Sequence, residues 1–214
     1  MQIELRVMDL LISRLCHDLI SPAGAIVNGI ELVEEFGEDG MAGEDMTAEA
    51  MSLVGRSARQ LSAKLSLFRV AFGSAGERDN FPVDECRRLL DGYLQEGKVR
   101  LDWTLDRLPP EPGSARLLLL LGIIAAESLP RGGLLRIEGG PVGDPVAFRA
   151  LAQGEGAKLE AVTEGALEAG MANSGAPAEL DARMAPAYLA GMLAARRGNR
   201  VHIVREAGAI SLSV

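Results

Sequence analysis

Apolar residues fall at Leu5, Met8, Ile12, Leu15, Leu19, Ile26, Ile30 and Val33, steps of three and four that hold a heptad register except at Pro22. That spacing predicts one long amphipathic helix from Leu5 onward, its seam along these positions. The segment Phe36 to Asp45, with Gly37, Gly40 and Gly43 among acidic residues, has the composition of a loop. A second stripe, Met51, Val54, Ala58, Leu61, Leu65, Phe68 and Phe72, repeats the spacing, with Thr47 placed as its N-cap. Two such helices make a hairpin. A narrow seam on helices of about 28 residues, roughly 40 Å at 1.5 Å per residue, leaves much of each stripe uncovered by a single partner. Pairing two chains as an isologous four-helix bundle covers both stripes, so a homodimer is expected. The competing solution packs the hairpin onto the chain's own C-terminal part.

The pattern changes after Ala71 to Asn80, a glycine-containing stretch that reads as a linker. Residues 1–76 form the hairpin domain, and a second domain occupies 81–214. Its elements are helix Val83 to Gln95, strand Val99 to Leu105, a break at Pro109, Pro110 and Pro112, and helix Ala115 to Leu129. Strands Leu134 to Glu138 and Val146 to Ala152 follow, then helix Ala185 to Arg197 and strands Arg200 to Glu206 and Ala209 to Val214. The alanine- and glycine-rich region Leu159 to Asp181 has no clear period. The class expected is α+β, a helical hairpin followed by a two-layer α/β sandwich.

With 214 residues, 48% hydrophobic and 24% charged, the chain is long and apolar enough to fold around its own core. A net charge of −8 argues against nucleic acid as partner. Cys16 and Cys86 sit in apolar helical stretches without zinc-type spacing, so no metal site is expected and both thiols are read as reduced, in a cytoplasmic protein. The run Leu117 to Ala126, free of charged and strongly polar residues, is short of the roughly 20 residues that span a bilayer, so no membrane partner is expected. Glu4, Arg6 and Asp9 interrupt the N-terminal hydrophobics, so a secretory signal is not expected.

Two histidines are too few for a histidine-rich metal site. His202, in a terminal strand without an acidic neighbour, reads as structural. His17 differs: at about 100° per residue it points away from the seam, with Leu10, Ser13, Ser21, Gly24 and Asn28 along the same face. That strip of small and polar residues lets another molecule lie close to the imidazole. Asp18 beside it can hold the tautomer or manage the proton of an attacking imidazole. Pro22, five residues on, removes a backbone hydrogen bond and clashes with the carbonyl of Asp18, costing roughly 3 kcal/mol in an ordinary helix interior.

Cys16-His17-Asp18-Leu19-Ile20-Ser21-Pro22 resembles the phosphoacceptor box of histidine kinase dimerisation domains. The longer stretch LCHDLISPAGAIVNGIELVEE, Leu15 to Glu35, and SAKLSLFRVAFGSAG, Ser62 to Gly76, are similar to the ChpT-type histidine phosphotransferases of bacterial phosphorelays. The resemblance implies a dimeric four-helix bundle presenting the histidine, then a degenerate relative of the kinase ATP-binding domain. Aligning Pro130-Arg131-Gly132-Gly133 with the kinase turn puts Leu120 and Ile124 where magnesium-holding asparagines stand. Neither supplies the oxygen that magnesium wants. Gly154-Glu155-Gly156 is similar to the family's glycine box, with Ala152 in the place of the adenine-reading aspartate. No ATP binding is therefore expected.

The activity so implied is a phosphotransferase that relays a phosphoryl group between receiver-domain aspartates through His17. Asp18 orients the imidazole, and Ser21, one turn on, contacts the receiver or the phosphoryl oxygens. Ser13, Arg14, Gly24, Ala25 and Asn28, with Phe68 and Arg69 of the facing helix, form the receiver-docking surface. The protein has no cofactor of its own, Mg2+ arriving with the receiver. Its partners are response regulator receiver domains and an upstream hybrid histidine kinase. A non-catalytic dimeric adaptor and an ATP-dependent histidine kinase are the alternatives.

Overall fold

The computed structural model describes residues 4–36, 41–140, 147–173 and 175–214. Two long helices, α1 (Leu5–Phe36) and α2 (Met41–Ala71), form the expected hairpin. A 3-10 turn (Ser74–Glu77) leads to α3 (Val83–Leu94), β1 (Val99–Trp103), α4 (Ser114–Glu127), β2 (Gly133–Gly139) and β3 (Phe148–Gln153). The chain closes with α5 (Ala161–Ala172), α6 (Ala185–Arg196), β4 (His202–Glu206) and β5 (Ala209–Ser213). The class is α+β, six α-helices and one mixed five-stranded sheet among the described residues.

Several expectations shift. The loop expected over Phe36 to Asp45 is shorter, because α2 already begins at Met41; residues 37–40 lie outside the described residues. Met41, Ala42 and Glu44 favour a helix enough to offset Gly43. Thr47 is consequently inside α2 rather than at its cap, with its hydroxyl buried and unpartnered among the described residues. The expected linker holds the 3-10 turn and is pinned: the buried Arg116 guanidinium donates to the Ala71 and Phe72 carbonyls and pairs with Glu77. The region without a clear period contains α5.

The sheet order is β1-β2-β3-β5-β4, with β1 and β2 parallel and the other pairs antiparallel. A parallel pair needs a crossover, and α4 supplies it. Strands β2 and β3 alternate, Leu135, Ile137, Phe148, Ala150 and Ala152 facing the core. On the other face, opposed residues form ion pairs, Arg136 with Asp102 and Arg149 with Glu138. Helix α4, buried from Ser114 to Ala126, is the axis of this layer.

The core runs unbroken from the sheet through α4 and α6 into the base of the hairpin, where Val7 and Leu11 of α1 and Leu67, Phe68, Val70 and Ala71 of α2 join it. The seam of α1 is rotated from its expected position. Val7, Leu11, Pro22 and Gly29 are its buried residues, while Leu5 (71% exposed), Met8, Ile12 and Ile30 face outward. On α2, Phe68 is buried but Met51 and Leu65 are exposed. The sequence period was right, but α1 carries two apolar faces and the hairpin uses only one. Helix α1 is also long and apolar enough to cross a bilayer by length and composition alone, which a search for uncharged runs overlooks.

Candidate functional site

Helix α1 continues through Pro22 without interruption. The proline leaves the Asp18 carbonyl without its usual helical donor. Lys64 of α2 replaces it, its Nζ donating to the Asp18 oxygen at 3.0 Å. A backbone acceptor is thus satisfied by a side chain from the facing helix, and α1 is fixed at the turn that carries His17.

The His17 side chain is 85% exposed. Its Nδ1 lies 3.1 Å from Asp18 Oδ1, whereas Asp18 itself is largely buried. The Arg14 Nε donates to Asp18 Oδ2 at 2.7 Å, and its Nη2 pairs with Glu127 at the end of α4. His17, Asp18, Arg14 and Glu127 therefore form one chain of polar contacts from the exposed imidazole to the end of α4. Burial by itself lowers the Arg14 pKa, but the Glu127 and Asp18 carboxylates outweigh it and the net direction is upward. Burial pushes the Glu127 carboxyl up, with Arg14 pulling the other way. Tyr93 of α3 completes the surroundings; its phenol is pushed up by burial first and then by Glu127.

A groove of about 610 Å³ runs along this chain, lined by Arg14, His17, Asp18 and Glu127 and, before α6, by Asp181, Ala182 and Arg183. Asp181 closes the turn before that helix, its Oδ1 accepting from the backbone N–H groups of Arg183 and Met184 at 2.8 and 3.0 Å. Sequence reading found the α1 wall of this groove. Glu127 and Asp181 to Arg183 it missed, because they arrive from the far side of the chain and no local pattern marks them.

The remaining candidates divide. Ser13, Ser21, Gly24 and Asn28 are exposed beside His17, and a Cβ built on Gly24 meets nothing within 4 Å, so the strip is open. Ala25 is half-buried and Arg69 is exposed on α2. Two docking expectations require correction. Phe68 is 4% exposed, packed with Phe72 and Tyr93 at ring-centroid distances of 5.2 and 6.1 Å, and offers no surface to another domain. Arg14, 12% exposed, is turned inward and held by its two carboxylates. His202 is exposed on β4.

The positions compared with a nucleotide site are apolar and buried: Leu120, Ile124 and Ala152 belong to the core. The two glycine segments pack against each other. A Cβ on Gly133 would collide with the Gln153 carbonyl, and one on Gly154 with the Gly132 carbonyl. Close backbone approach accounts for these glycines. No cluster of potential metal ligands occurs among the described residues.

The hairpin thus displays one exposed histidine against a carboxylate and is backed by a mixed α+β layer. The chain belongs to the histidine phosphotransferase family, matching the histidine phosphotransferase C-terminal domain over residues 83–209. It is similar to the protein phosphotransferase ChpT of Brucella abortus (strain 2308), 39% identical over 133 residues, 61% of this chain and 60% of that one. The match thus spans less than two thirds of the relative's length. A solved structure described as a bacterial phosphotransferase is 32% identical, with a TM-score of 0.77 covering 100% of this chain and 97% of the other.

Proposed function

We propose that this protein carries a phosphoryl group on Nε2 of His17, taking it from the phospho-aspartate of one receiver domain and passing it to the aspartate of another. The observation that carries this reading is the exposed imidazole with Nδ1 against Asp18. In the neutral ring, Nδ1–H donates to the carboxylate and leaves the Nε2 lone pair directed to solvent. In-line attack forms the N–P bond as the aspartyl O–P bond breaks, and the aspartate leaves as carboxylate. The second transfer reverses these roles. Such chemistry asks mainly for positioning and charge stabilisation, and Asp18 supplies both by fixing the ring and balancing the positive charge that develops on it.

Magnesium comes with the receiver. Ser21 reaches toward the phosphoryl oxygens, and Ser13, Gly24, Asn28 and Arg69, flanked by Ala25, meet the receiver in this reading. Its supply is a hybrid histidine kinase. The outward apolar face of the hairpin meets a second copy, giving a homodimer, and the protein works in the cytoplasm. The apolar, buried Leu120, Ile124 and Ala152 support a second domain that binds no ATP.

Receiver binding and label transfer measured on the same His17→Ala preparation test the reading. The variant is expected to bind a cognate receiver as the wild type does and to accept no label from it. A His17→Ala protein that is labelled as fast as wild type would refute it. A wild type that binds but never carries label would leave the adaptor as the function.

A further inference from the structure

Glu127 stands at a place that helix stability does not explain. It is the last residue of α4, where the helix dipole is negative and a carboxylate is disfavoured. The thirteen residues before it, Ser114 to Ala126, are buried, so Glu127 is where this central helix of the second domain emerges. At that point it meets Arg14 of α1. One guanidinium fork therefore joins carboxylates from two parts of the chain, Glu127 on Nη2 and Asp18 on Nε, and the free oxygen of Asp18 faces Nδ1 of His17.

We infer that Glu127 is a positioning residue of the phosphotransfer site, acting on His17 through Arg14 and Asp18, so that the second domain is part of that site. This inference rests on the reading of His17 as phosphoacceptor. The physical reason is rotational freedom. Asp18 aims Oδ1 at the imidazole only while Oδ2 is held, and the long Arg14 side chain holds it only while its own far end is anchored. Anchored, the chain selects the Nδ1–H tautomer and leaves Nε2 free to attack. Released, Asp18 turns and the tautomer is no longer selected. The charged and titratable groups around Glu127 are Arg14 and Asp18 of α1, Tyr93 of α3 and Arg183 of the segment before α6.

The test uses the full chain with Glu127→Gln, which keeps the shape and removes the charge, and Glu127→Asp as the conservative variant. Two readouts are taken: single-turnover transfer from a radiolabelled phospho-receiver with Mg2+, and the His17 tautomer by nitrogen-15 NMR, tractable with only two histidines in the sequence. The expected result is at least a tenfold slower transfer at saturating receiver for Glu127→Gln, with receiver affinity unchanged, a smaller Nδ1–H population, and partial recovery in Glu127→Asp. Arg14→Lys, which keeps the charge but loses the fork, is expected to show the same tautomer change. Wild-type transfer and wild-type tautomer in Glu127→Gln would overturn the inference while leaving the relay reading intact. Slower transfer through weaker receiver binding with an unchanged tautomer would also overturn it, making Glu127 a docking contact. If the wild type accepts no label the relay reading fails, and the tautomer comparison still decides whether Glu127 controls the ring.

Discussion

Pro22 deprives the Asp18 carbonyl of its helical donor, and Lys64 supplies another from α2 at 3.0 Å. The two features should be energetically coupled. Lys64→Met is expected to cost about 1 kcal/mol or more in the wild type, from the lost charge-assisted hydrogen bond. In a Pro22→Ala background, where the substituted residue restores an N–H to the carbonyl, loss of the lysine is expected to cost distinctly less. A double-mutant cycle on denaturant midpoints measures this, and equal costs in both backgrounds would show that the bond is independent of the proline. The thiols separate by the same local logic. Burial pushes the Cys86 thiol up to about 12, with Glu85 adding to it, while Cys16 is exposed on α1. A maleimide is expected to modify Cys16 alone in the folded protein, read by mass spectrometry, and modification of Cys86 at a comparable rate would contradict the packing of α3. At this scale the site was half legible. His17, Asp18 and Pro22 are neighbours, so their spacing is visible in the sequence. The Arg14–Glu127 pair joins residues 113 positions apart, and only the fold brings them together.

Helices α5 and α6 pack backbone against backbone. A Cβ on Gly170 would collide with the Tyr188 carbonyl, and one on Gly191 with the Leu167 carbonyl. Main chain cannot yield as a flexible side chain can, so Gly191→Ala is expected to destabilise the protein by about 1–3 kcal/mol or more, seen as a lower denaturant midpoint with unchanged slope. A neutral result would mean that the pair can separate freely. The same glycines explain why α5 had no readable period. Gly165 and Gly170 weaken its intrinsic preference, and small alanines give little contrast between its faces, so tertiary contact rather than local pattern makes it a helix. Elements with strong periods, α1, α3 and the alternating strands, were legible to within a few residues. The face that α1 turns inward was not, because a period fixes spacing and does not say which of two apolar stripes meets which partner.

Taken whole, the molecule has one core joining sheet, α4, α6 and the hairpin base, and an apolar face left outside it. At about 100° per residue, Leu5, Ile12, Ile20, Val27 and Ile30 lie on a side of α1 distinct from both the buried seam and the His17 strip. A second copy could cover that side without obstructing the histidine. Sedimentation is expected to give about twice the 22.6 kDa chain mass for the wild type, and the chain mass itself for an Ile12→Glu, Val27→Glu double variant. A wild type that sediments as a monomer at micromolar concentration would contradict the bundle. The proposed relay itself is tested most directly with two receivers. A radiolabelled phospho-receiver, Mg2+ and a second, unlabelled receiver are mixed without ATP, with wild type, His17→Ala or no added protein. The account predicts acid-labile, alkali-stable label on the wild type, followed by label on the second receiver, and neither with His17→Ala or without protein. Label reaching the second receiver equally in all three mixtures, or never appearing on the wild type, would contradict it.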